Sequence, residues 1–293
     1  MSNRRRSLLG SHAWIRESIK RPSLQMRLSR AEFFAGLFII GCANGLAGKI
    51  VASADLRGWA NAALGTFDIS AIVLASCIAG IGLVLRSTAG KIRAADLAVG
   101  AVLLLLVTLP VAALAWAAVT ALSLYILIFA NFDDSGRRGA VILLATTVPM
   151  LWSRMLFYLF AKPILMADAS LVAWMLDTHR TGNMLEFADH SGTLVIFERC
   201  SSLANMSLAL LCWVTVSQLT RHKPSPSDFL WCFLACASVV GVNVLRLSVM
   251  GLSLSHYDAL HDPLGESIVN IATLGLIVGI SFWGVKDDAI SWP

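Results

Sequence analysis

The stretch LAVGAVLLLLVTLPVAALAWAAVTALSLYILIFANF, residues 97–132, runs for about 36 residues without a charged side chain. One straight α-helix of that length would measure roughly 54 Å, because each residue adds about 1.5 Å. The hydrocarbon core of a bilayer is only about 30 Å thick and is crossed by roughly 20 apolar residues. We therefore predict two membrane spans here, divided near Pro110, since proline is well suited to open a new helix or a tight turn.

The composition of the whole chain agrees with a membrane protein. Of its 293 residues, 57% are hydrophobic and 14% are charged, and the mean hydropathy is +0.73. Soluble domains carry about 25% charged residues. We predict an all-α polytopic membrane protein with about eight transmembrane helices, in which residues 32–293 form one transmembrane domain. The six further spans are predicted at residues 33–51, 69–85, 140–160, 202–219, 229–252 and 267–285.

The N-terminal segment, residues 1–31, is strongly basic and lacks the pattern of a secretory signal peptide. A basic segment before a first span usually sets the orientation in the membrane and is less often a nucleic-acid-binding tail. With this segment in the cytoplasm, 16 of the 23 lysines and arginines fall on the cytoplasmic side, eight of them in the segment itself. We therefore expect a multi-pass protein of the plasma (inner) membrane with both termini in the cytoplasm. This orientation depends on the division of the run at residues 97–132.

A polar segment, residues 162–199, separates the fifth and sixth spans and is expected on the extracytoplasmic side. Residues 167–176 have apolar side chains at helical spacing and are predicted to lie along the membrane surface. Residues 183–187 and 193–197 are rich in β-branched and aromatic side chains and flank a turn that contains Ser191-Gly192. They predict a small extracytoplasmic hairpin.

Cys200 lies where this polar segment meets the sixth span. The other five cysteines lie inside apolar runs, where cysteine behaves as a small hydrophobe; they are Cys42, Cys77, Cys212, Cys232 and Cys236. A thiol at the start of a helix, beside a cation, is favoured as thiolate and can act as a nucleophile. An interfacial cysteine without a role is the alternative.

Two downstream residues are expected at the same membrane boundary as Cys200. Arg246 lies near the outer end of the seventh span, where an arginine is costly and often marks a site, although it can also anchor a helix end by snorkelling. Asn243 lies one helical turn earlier and shares its face. His261, in the loop before the eighth span, could act as the base for Cys200, and His256 is a rival for this role.

Other chemistries have weaker support. Cys200, His256, His261 and Asp262 could converge on a metal, but no Cys-x-x-Cys or His-Glu-x-x-His spacing is present, so no metal site is predicted. Ser201 and Ser202 lack the Gly-x-Ser-x-Gly context of a serine nucleophile. We expect no cofactor.

These motifs, in this order and in an eight-span chain, resemble the exosortase/archaeosortase family of membrane-embedded cysteine transpeptidases. The resemblance covers roughly residues 140–285. It rests on Gly182-Asn183, Glu198-Arg-Cys200-Ser-Ser, Asn243-x-x-Arg246, and His261 with Gly265.

The resemblance implies that Cys200, Arg246 and His261 form a catalytic trio. We assign Asn243, Ser201 and Ser202, which flank the trio, to substrate binding. The chain departs from the family at Ser202, because the family usually has Cys-Ser-Gly where this chain has Cys200-Ser201-Ser202. Glycine permits close backbone approach and positive φ, so serine here could reshape the oxyanion pocket without removing the nucleophile.

The implied activity is that of a cysteine protease/transpeptidase on the extracytoplasmic side. Its expected partners are the lipid bilayer and exported proteins that end in a C-terminal sorting signal: a short motif, a transmembrane helix and a basic tail. The alternative is a non-catalytic membrane component of polysaccharide export or assembly, in which Cys200 is dispensable and Arg246 binds an anionic glycan or lipid.

Overall fold

The computed structural model describes residues 28–286 and is almost entirely helical. The N-terminal part contains α1 (Arg30–Arg57), α2 (Trp59–Leu64), α3 (Ala71–Leu85), α4 (Ala94–Val107), α5 (Ala112–Ile128) and α6 (Asp134–Thr147). A π-helical turn (Val148–Trp152) joins α6 to α7 (Ser153–Leu176). The C-terminal part contains α8 (Ser202–Leu219), α9 (Ser227–Met250), α10 (Leu254–His261) and α11 (Pro263–Gly284).

The predicted division of the long apolar run is confirmed. Helix α4 ends at Val107, and α5 begins at Ala112, so the chain turns at Pro110. Five helical segments are long and apolar enough to cross a membrane: α1, the continuous α6–α7 segment, α8, α9 and α11. The apolar helices α3, α4 and α5 have 15, 14 and 17 residues, which is shorter than a straight crossing requires. The structure is therefore that of an α-helical membrane protein, and the number of eight spans stays a prediction.

The helices run alternately up and down, so that their ends gather in two groups. At one end, the start of α1 contacts the start of α4 and the end of α5 through Arg30, Asp96 and Tyr125. We call this the Arg30 end. At the other end, α7, the start of α8 and α9 meet through Asp168, Ser202 and Asn243. We call this the Cys200 end.

Between the two ends, the bundle core is apolar and closely packed. Helices α3 and α6 approach so closely that a Cβ on Gly139 would lie 2.6 Å from the carbonyl oxygen of Gly80. Small residues permit this approach, which is the usual basis of helix association in membranes. The core around this contact includes Phe34, Trp116 and Leu143, each 1% exposed or less.

The Arg30 end is held by a buried ion pair. Arg30 donates from Nε and Nη2 to the two carboxylate oxygens of Asp96, at 2.7 and 2.8 Å, and the two side chains are 2% and 0% exposed. The Tyr125 hydroxyl and the Arg93 amide also donate to Asp96, each at 2.8 Å. Arg30 was assigned to the basic N-terminal segment, yet it is the first residue of α1, whose N-cap is Ser29. The sequence could not show that Arg30 is part of α1 and buried, because its partner, Asp96, lies 66 residues further along the chain.

A second carboxylate at this end fixes the start of α6. Asp133 is the N-cap of α6 and accepts hydrogen bonds from the Gly136 amide, the Thr88 amide and the Ser87 hydroxyl. Burial acts to raise the pKa of Asp133, but these hydrogen bonds outweigh burial and hold the pKa at about 2. The loop between α3 and α4 is therefore tied to the start of α6.

At the Cys200 end, a small antiparallel sheet leads into α8. Its strands are β1 (Arg180–Thr181), β2 (Met184–Glu186) and β3 (Thr193–Val195), in the order β1-β2-β3. The β2–β3 pair, with Leu185 opposite Leu194, confirms the predicted hairpin. The sequence did not predict β1, which joins β2 through a turn at Gly182 with φ +66°.

Residues 167–176 are helical, as predicted, and form the last part of α7; that they lie along the membrane surface stays a prediction. This helix is kinked at Phe160 and contains Pro163. Proline removes one helical hydrogen bond and crowds the preceding turn, which bends a helix without necessarily ending it. Beyond the kink, Ala169 and Val172 are fully buried against β2, Ile196 and the end of α9, where they form a second hydrophobic cluster.

We predict that Asp96→Asn destabilises the protein by about 3–5 kcal/mol, because it leaves the buried Arg30 charge without its counter-charge. The double variant Arg30→Met/Asp96→Leu should recover most of this loss, because it removes both buried charges. Unfolding in detergent micelles titrated with sodium dodecyl sulfate measures both effects. Asp55→Asn is the matched control on an exposed residue and should change stability by less than about 0.5 kcal/mol. A value for Asp96→Asn equal to the control would contradict the structural role of the pair.

Candidate functional site

Cys200 ends a single 3₁₀ turn, Glu198–Cys200, between β3 and α8. Its amide donates to the Phe197 carbonyl at 2.9 Å, and the next residue, Ser201, is the N-cap of α8. Cys200 is half-buried against the second hydrophobic cluster, together with Tyr257 and Leu260 of α10. The prediction that Cys200 lies at the start of a helix is confirmed. The other five cysteines lie within α1, α3, α8 and α9.

Asn243 of α9 fixes the backbone at Cys200. Its side-chain amide donates to the carbonyl oxygen of Cys200 at 2.8 Å and to the hydroxyl of Ser202 at 3.0 Å. Asn243 is buried, and the residues it joins are 43 and 41 positions earlier in the chain. Asn243 therefore holds the turn that carries the thiol.

A buried carboxylate completes this network. Asp168 of α7 is 5% exposed and accepts from the Ser202 amide at 3.1 Å and from the Ser202 hydroxyl at 2.8 Å. A negative charge at the start of a helix is stabilised by the helix dipole. Helices α7, α8 and α9 are thereby tied together immediately beside Cys200.

Sequence reasoning did not assign Asp168 to the site. A signal was available, because Asp168 is the only acidic residue within the apolar helical stretch at residues 153–176. A buried carboxylate in such a stretch requires donors, and the first turn of a helix supplies them. What the sequence could not show is that the start of α8 is the helix that supplies these donors.

Ser201 and Ser202 are both 4% exposed, and both are hydrogen-bonded within the protein. The Ser201 hydroxyl accepts from the Leu203 amide at 3.3 Å, while Ser202 bonds to Asp168 and Asn243. The assignment of Ser201, Ser202 and Asn243 to substrate binding stays a prediction. Their contacts give them a positioning role in this structure.

The backbone amides around Cys200 already have acceptors. Those of Cys200 and Ser201 donate to carbonyl oxygens within the 3₁₀ turn, at 2.9 and 3.1 Å. Those of Ser202 and Leu203 donate to Asp168 and to the Ser201 hydroxyl. If Cys200 attacked a carbonyl group, the carbonyl oxygen would become an oxyanion and would compete with these bonds for the amides. A hydrogen-bond donor for the oxyanion would then come mainly from a side chain.

Arg246 is the side chain that can supply this donor. It lies one helical turn beyond Asn243 on α9, as predicted. Its Nη2 is 3.4 Å from the Leu260 carbonyl, and its Nε is buried without an acceptor among residues 28–286. Buried donors are nearly always satisfied, so the unused Nε, one helical turn from Asn243, is an exceptional feature of the Cys200 end.

His261 is the last residue of α10 and is exposed. Its ring lies edge-on to Tyr257, with 5.1 Å between the ring centroids, and Tyr257 packs in the same cluster as Cys200. Leu260, whose carbonyl is next to Arg246, directly precedes it. The structure thus places His261 at the rim of the site.

The rival histidine, His256, lies in the first turn of α10. Its Nδ1 is 2.7 Å from the hydroxyl of Ser253, which is the N-cap of this helix. The His256 ring is therefore held against the N-cap of α10, and the choice between His256 and His261 as the base stays a prediction. Across the described part of the chain, no three His, Cys, Asp or Glu side chains gather as a metal site would require.

A cavity of about 500 Å³ lies between α8, α11 and the segment that leads into α3, and Cys200, Arg246 and His261 are not among its lining residues. Asn205 of α8 lines it one turn beyond Ser202, and Glu266 of α11 lines it one turn beyond Asp262. Asn270 and Thr273 add further polar groups, among apolar residues such as Leu274. The cavity therefore offers hydrogen-bonding groups within an otherwise apolar bundle.

Comparisons of the chain with protein-family models, with curated proteins and with solved structures find no match.

We predict that Asp168→Ala lowers stability by about 2–3 kcal/mol, because it removes the carboxylate that accepts from the first residue of α8 and leaves the buried Ser202 amide unsatisfied. Asp168→Asn keeps one acceptor oxygen and should lose about half as much. Thermal unfolding in detergent, followed by circular dichroism, measures the differences. Asp262→Ala is the matched control, because Asp262 is the N-cap of α11 but its side chain makes no capping hydrogen bond. Equal effects of the two alanine variants would refute the role of Asp168.

Proposed function

We propose that this protein is a membrane-embedded cysteine protease/transpeptidase of the exosortase type. One observation carries the proposal. Cys200, which precedes the N-cap of α8, is held through its backbone carbonyl by Asn243 of α9. One turn beyond Asn243 on α9, Arg246 has a donor without an acceptor among residues 28–286. A nucleophile and an oxyanion donor require fixed positions of this kind.

In this proposal Cys200 is the nucleophile. It directly precedes Ser201, the N-cap of α8, and Arg246 of α9 supplies a positive charge at the same end of the bundle. The thiolate, unlike the thiol, attacks a carbonyl carbon. In this proposal, Arg246 donates to the carbonyl oxygen as it becomes an oxyanion, because the amides of residues 200–203 are engaged.

The proposed reaction then proceeds in two stages. His261 takes the proton from Cys200, the sulfur attacks the peptide carbonyl, and the carbon–nitrogen bond breaks as His261 returns the proton to the leaving amine. A thioester between the substrate and Cys200 results. An acceptor amine, or water, then attacks this thioester and gives a proton to His261, the carbon–sulfur bond breaks, and His261 returns the proton to the sulfur of Cys200. The exposed His261 ring at the end of α10 turns toward the sulfur in the first step.

The cavity between α8 and α11 supports lateral entry of the substrate. We propose that the segment around the scissile bond of an exported protein occupies this cavity, with its polar backbone facing Asn205 and Asn270. The transmembrane helix of the sorting signal then lies against α8 and α11 from the lipid side. Backbone groups at membrane depth require such partners, because lipid offers none.

The charge distribution supports an extracytoplasmic site. Nine of the 16 lysines and arginines among residues 28–286 lie at the Arg30 end, and residues 1–27, which precede α1 in the sequence, contain seven more, so this end would face the cytoplasm by the positive-inside rule. The nine are Arg30, Arg86, Lys91, Arg93, Arg137, Arg138, Arg221, Lys223 and Lys286. The Cys200 end then faces the outside of the inner membrane, where exported proteins arrive.

One observation favours the alternative, a non-catalytic component of polysaccharide export or assembly. His261 is exposed, and the ring contact described for it is with Tyr257, which cannot fix a catalytic tautomer. In that case Arg246 binds an anionic ligand and Cys200 is dispensable. The two functions are separated by removing the thiol.

We predict that Cys200→Ala abolishes processing of exported host proteins that carry a C-terminal motif, a transmembrane helix and a basic tail, so that their precursors accumulate. Gel mobility of these proteins in cells measures the effect. Cys232→Ala, on α9, is the matched control and should process normally. A membrane-impermeant maleimide added to intact cells should label Cys200 in the wild type. Unchanged processing by Cys200→Ala would reject the thiol enzyme in favour of the alternative.

We predict that Arg246→Gln lowers the processing rate about 10²–10³-fold, the usual cost of losing one oxyanion donor. Arg246→Lys should be intermediate, because lysine keeps the charge without the planar fork. The protein should remain folded, since the variant loses only the long hydrogen bond of 3.4 Å from Nη2 to the Leu260 carbonyl, and Nε has no acceptor to lose among residues 28–286. Arg180→Gln, at the same end of the bundle, is the control. A loss of less than about threefold for Arg246→Gln would exclude the oxyanion role.

A further inference from the structure

A second cavity, of about 670 Å³, opens on another side of the bundle, between α1, the start of α5 and α7. Small residues form its wall, among them Gly45, Gly48 and Ala52 of α1. Toward the middle of the bundle it is closed by Trp116, whose indole N–H donates to the Gly45 carbonyl at 3.1 Å. Near the Cys200 end its mouth is lined by Tyr158, which is 88% exposed.

Two cations line this otherwise apolar cavity. Lys49 of α1 and Arg154 of α7 lie close enough for their positive charges to repel each other. Neither of them forms an ion pair with a carboxylate in the described part of the chain. The carboxylate whose charge acts on Lys49, Asp68, is engaged by Arg57 at 3.1 Å and by the Ser53 hydroxyl at 3.0 Å.

Lys49 is half-buried and Arg154 is exposed. A cation in a membrane-spanning segment that has no counter-charge among the described residues is costly, and such residues usually mark a binding site or pathway. The cost falls if a ligand brings an anion to the point where the two charges meet. Lys49 lies eight residues before the end of α1, about 12 Å along the helix axis at about 1.5 Å per residue. The ligand therefore has to carry a negative charge below the mouth and fill apolar space deeper in the cavity.

We propose that this cavity binds one anionic phospholipid. Its phosphate lies between Lys49 and Arg154, an acyl chain fills the space that ends at Trp116, and the glycerol head group lies at the level of Tyr158. A zwitterionic phospholipid is disfavoured, because its ammonium group would approach two cations. A soluble phosphate is disfavoured as well, because it leaves the apolar part of the cavity unfilled.

The bound lipid would connect α1 and α5 to the helix that supports the thiol site. Helix α7 lines the cavity with Arg154 and, beyond its kink, carries Asp168, which holds the start of α8. The lipid would therefore stabilise the arrangement of α7 within the bundle. This inference stands independently of the proposed catalytic function.

The test measures thermal unfolding of the full-length protein in a neutral detergent with added lipid. Phosphatidylglycerol is compared with phosphatidylcholine of identical acyl chains and with glycerol phosphate, which lacks acyl chains. At saturation, phosphatidylglycerol should raise the Tm by roughly 5 °C, and the other two should raise it little. Native mass spectrometry should show one retained phosphatidylglycerol per chain.

In the double variant Lys49→Gln/Arg154→Gln, the phosphatidylglycerol concentration that gives half of the Tm shift should rise at least tenfold. The matched control, Lys162→Gln on the exposed face of α7, should leave this concentration unchanged. Gly48→Leu is a second variant that fills the cavity, since a Cβ at Gly48 meets nothing within 4 Å. It should fold and also lose lipid retention. The proposal is overturned if both phospholipids act equally, if glycerol phosphate alone reproduces the shift, or if the variants keep the preference for phosphatidylglycerol.

Discussion

A carboxylate buried in an apolar bundle has to be satisfied by donors, and this requirement fixes both ends of the molecule. At the Arg30 end, Asp96 draws together α1, α4 and α5 by accepting from Arg30 and Tyr125. At the Cys200 end, Asp168 does the same for α7 and α8, and Asn243 extends the network to α9. The close packing of the apolar core already limits how the helices can move, and these directional hydrogen bonds add a requirement for particular donors at particular positions.

The same requirement separates structural cations from those available for function. Arg30 is bound through Nε and Nη2 to the two oxygens of one carboxylate, that of Asp96. Among residues 28–286, the Nε of Arg246 is a buried donor without an acceptor. Lys49 and Arg154 line one cavity. The first arrangement stabilises the fold. The positive charges of the other two arrangements are not neutralised by a carboxylate among the described residues. A reacting carbonyl oxygen is proposed to bind at Arg246, and a lipid phosphate at Lys49 and Arg154.

Much of this could be predicted from the sequence. The break at Pro110, the hairpin before α8 and the position of Cys200 at a helix start all follow from local properties: hydropathy, helix length and residues with strong turn or strand preferences. The shared face of Asn243 and Arg246 follows from helical periodicity. The sequence did not predict that residues 167–176 continue the helix that begins at Ser153, because a proline in a membrane helix can be accommodated by a kink that the local pattern does not reveal.

The sequence by itself determined that the chain is a helical membrane protein with one cysteine at a polar boundary. The tertiary structure decided which polar groups are used and which are free. Asp168 and Ser202 are 34 residues apart, and Asn243 reaches a carbonyl 43 residues earlier. Hydropathy is a sum over neighbours along the chain, whereas a hydrogen bond depends on an atom brought close by folding. The role of Asp168 and the unused donor of Arg246 were therefore decided only in three dimensions.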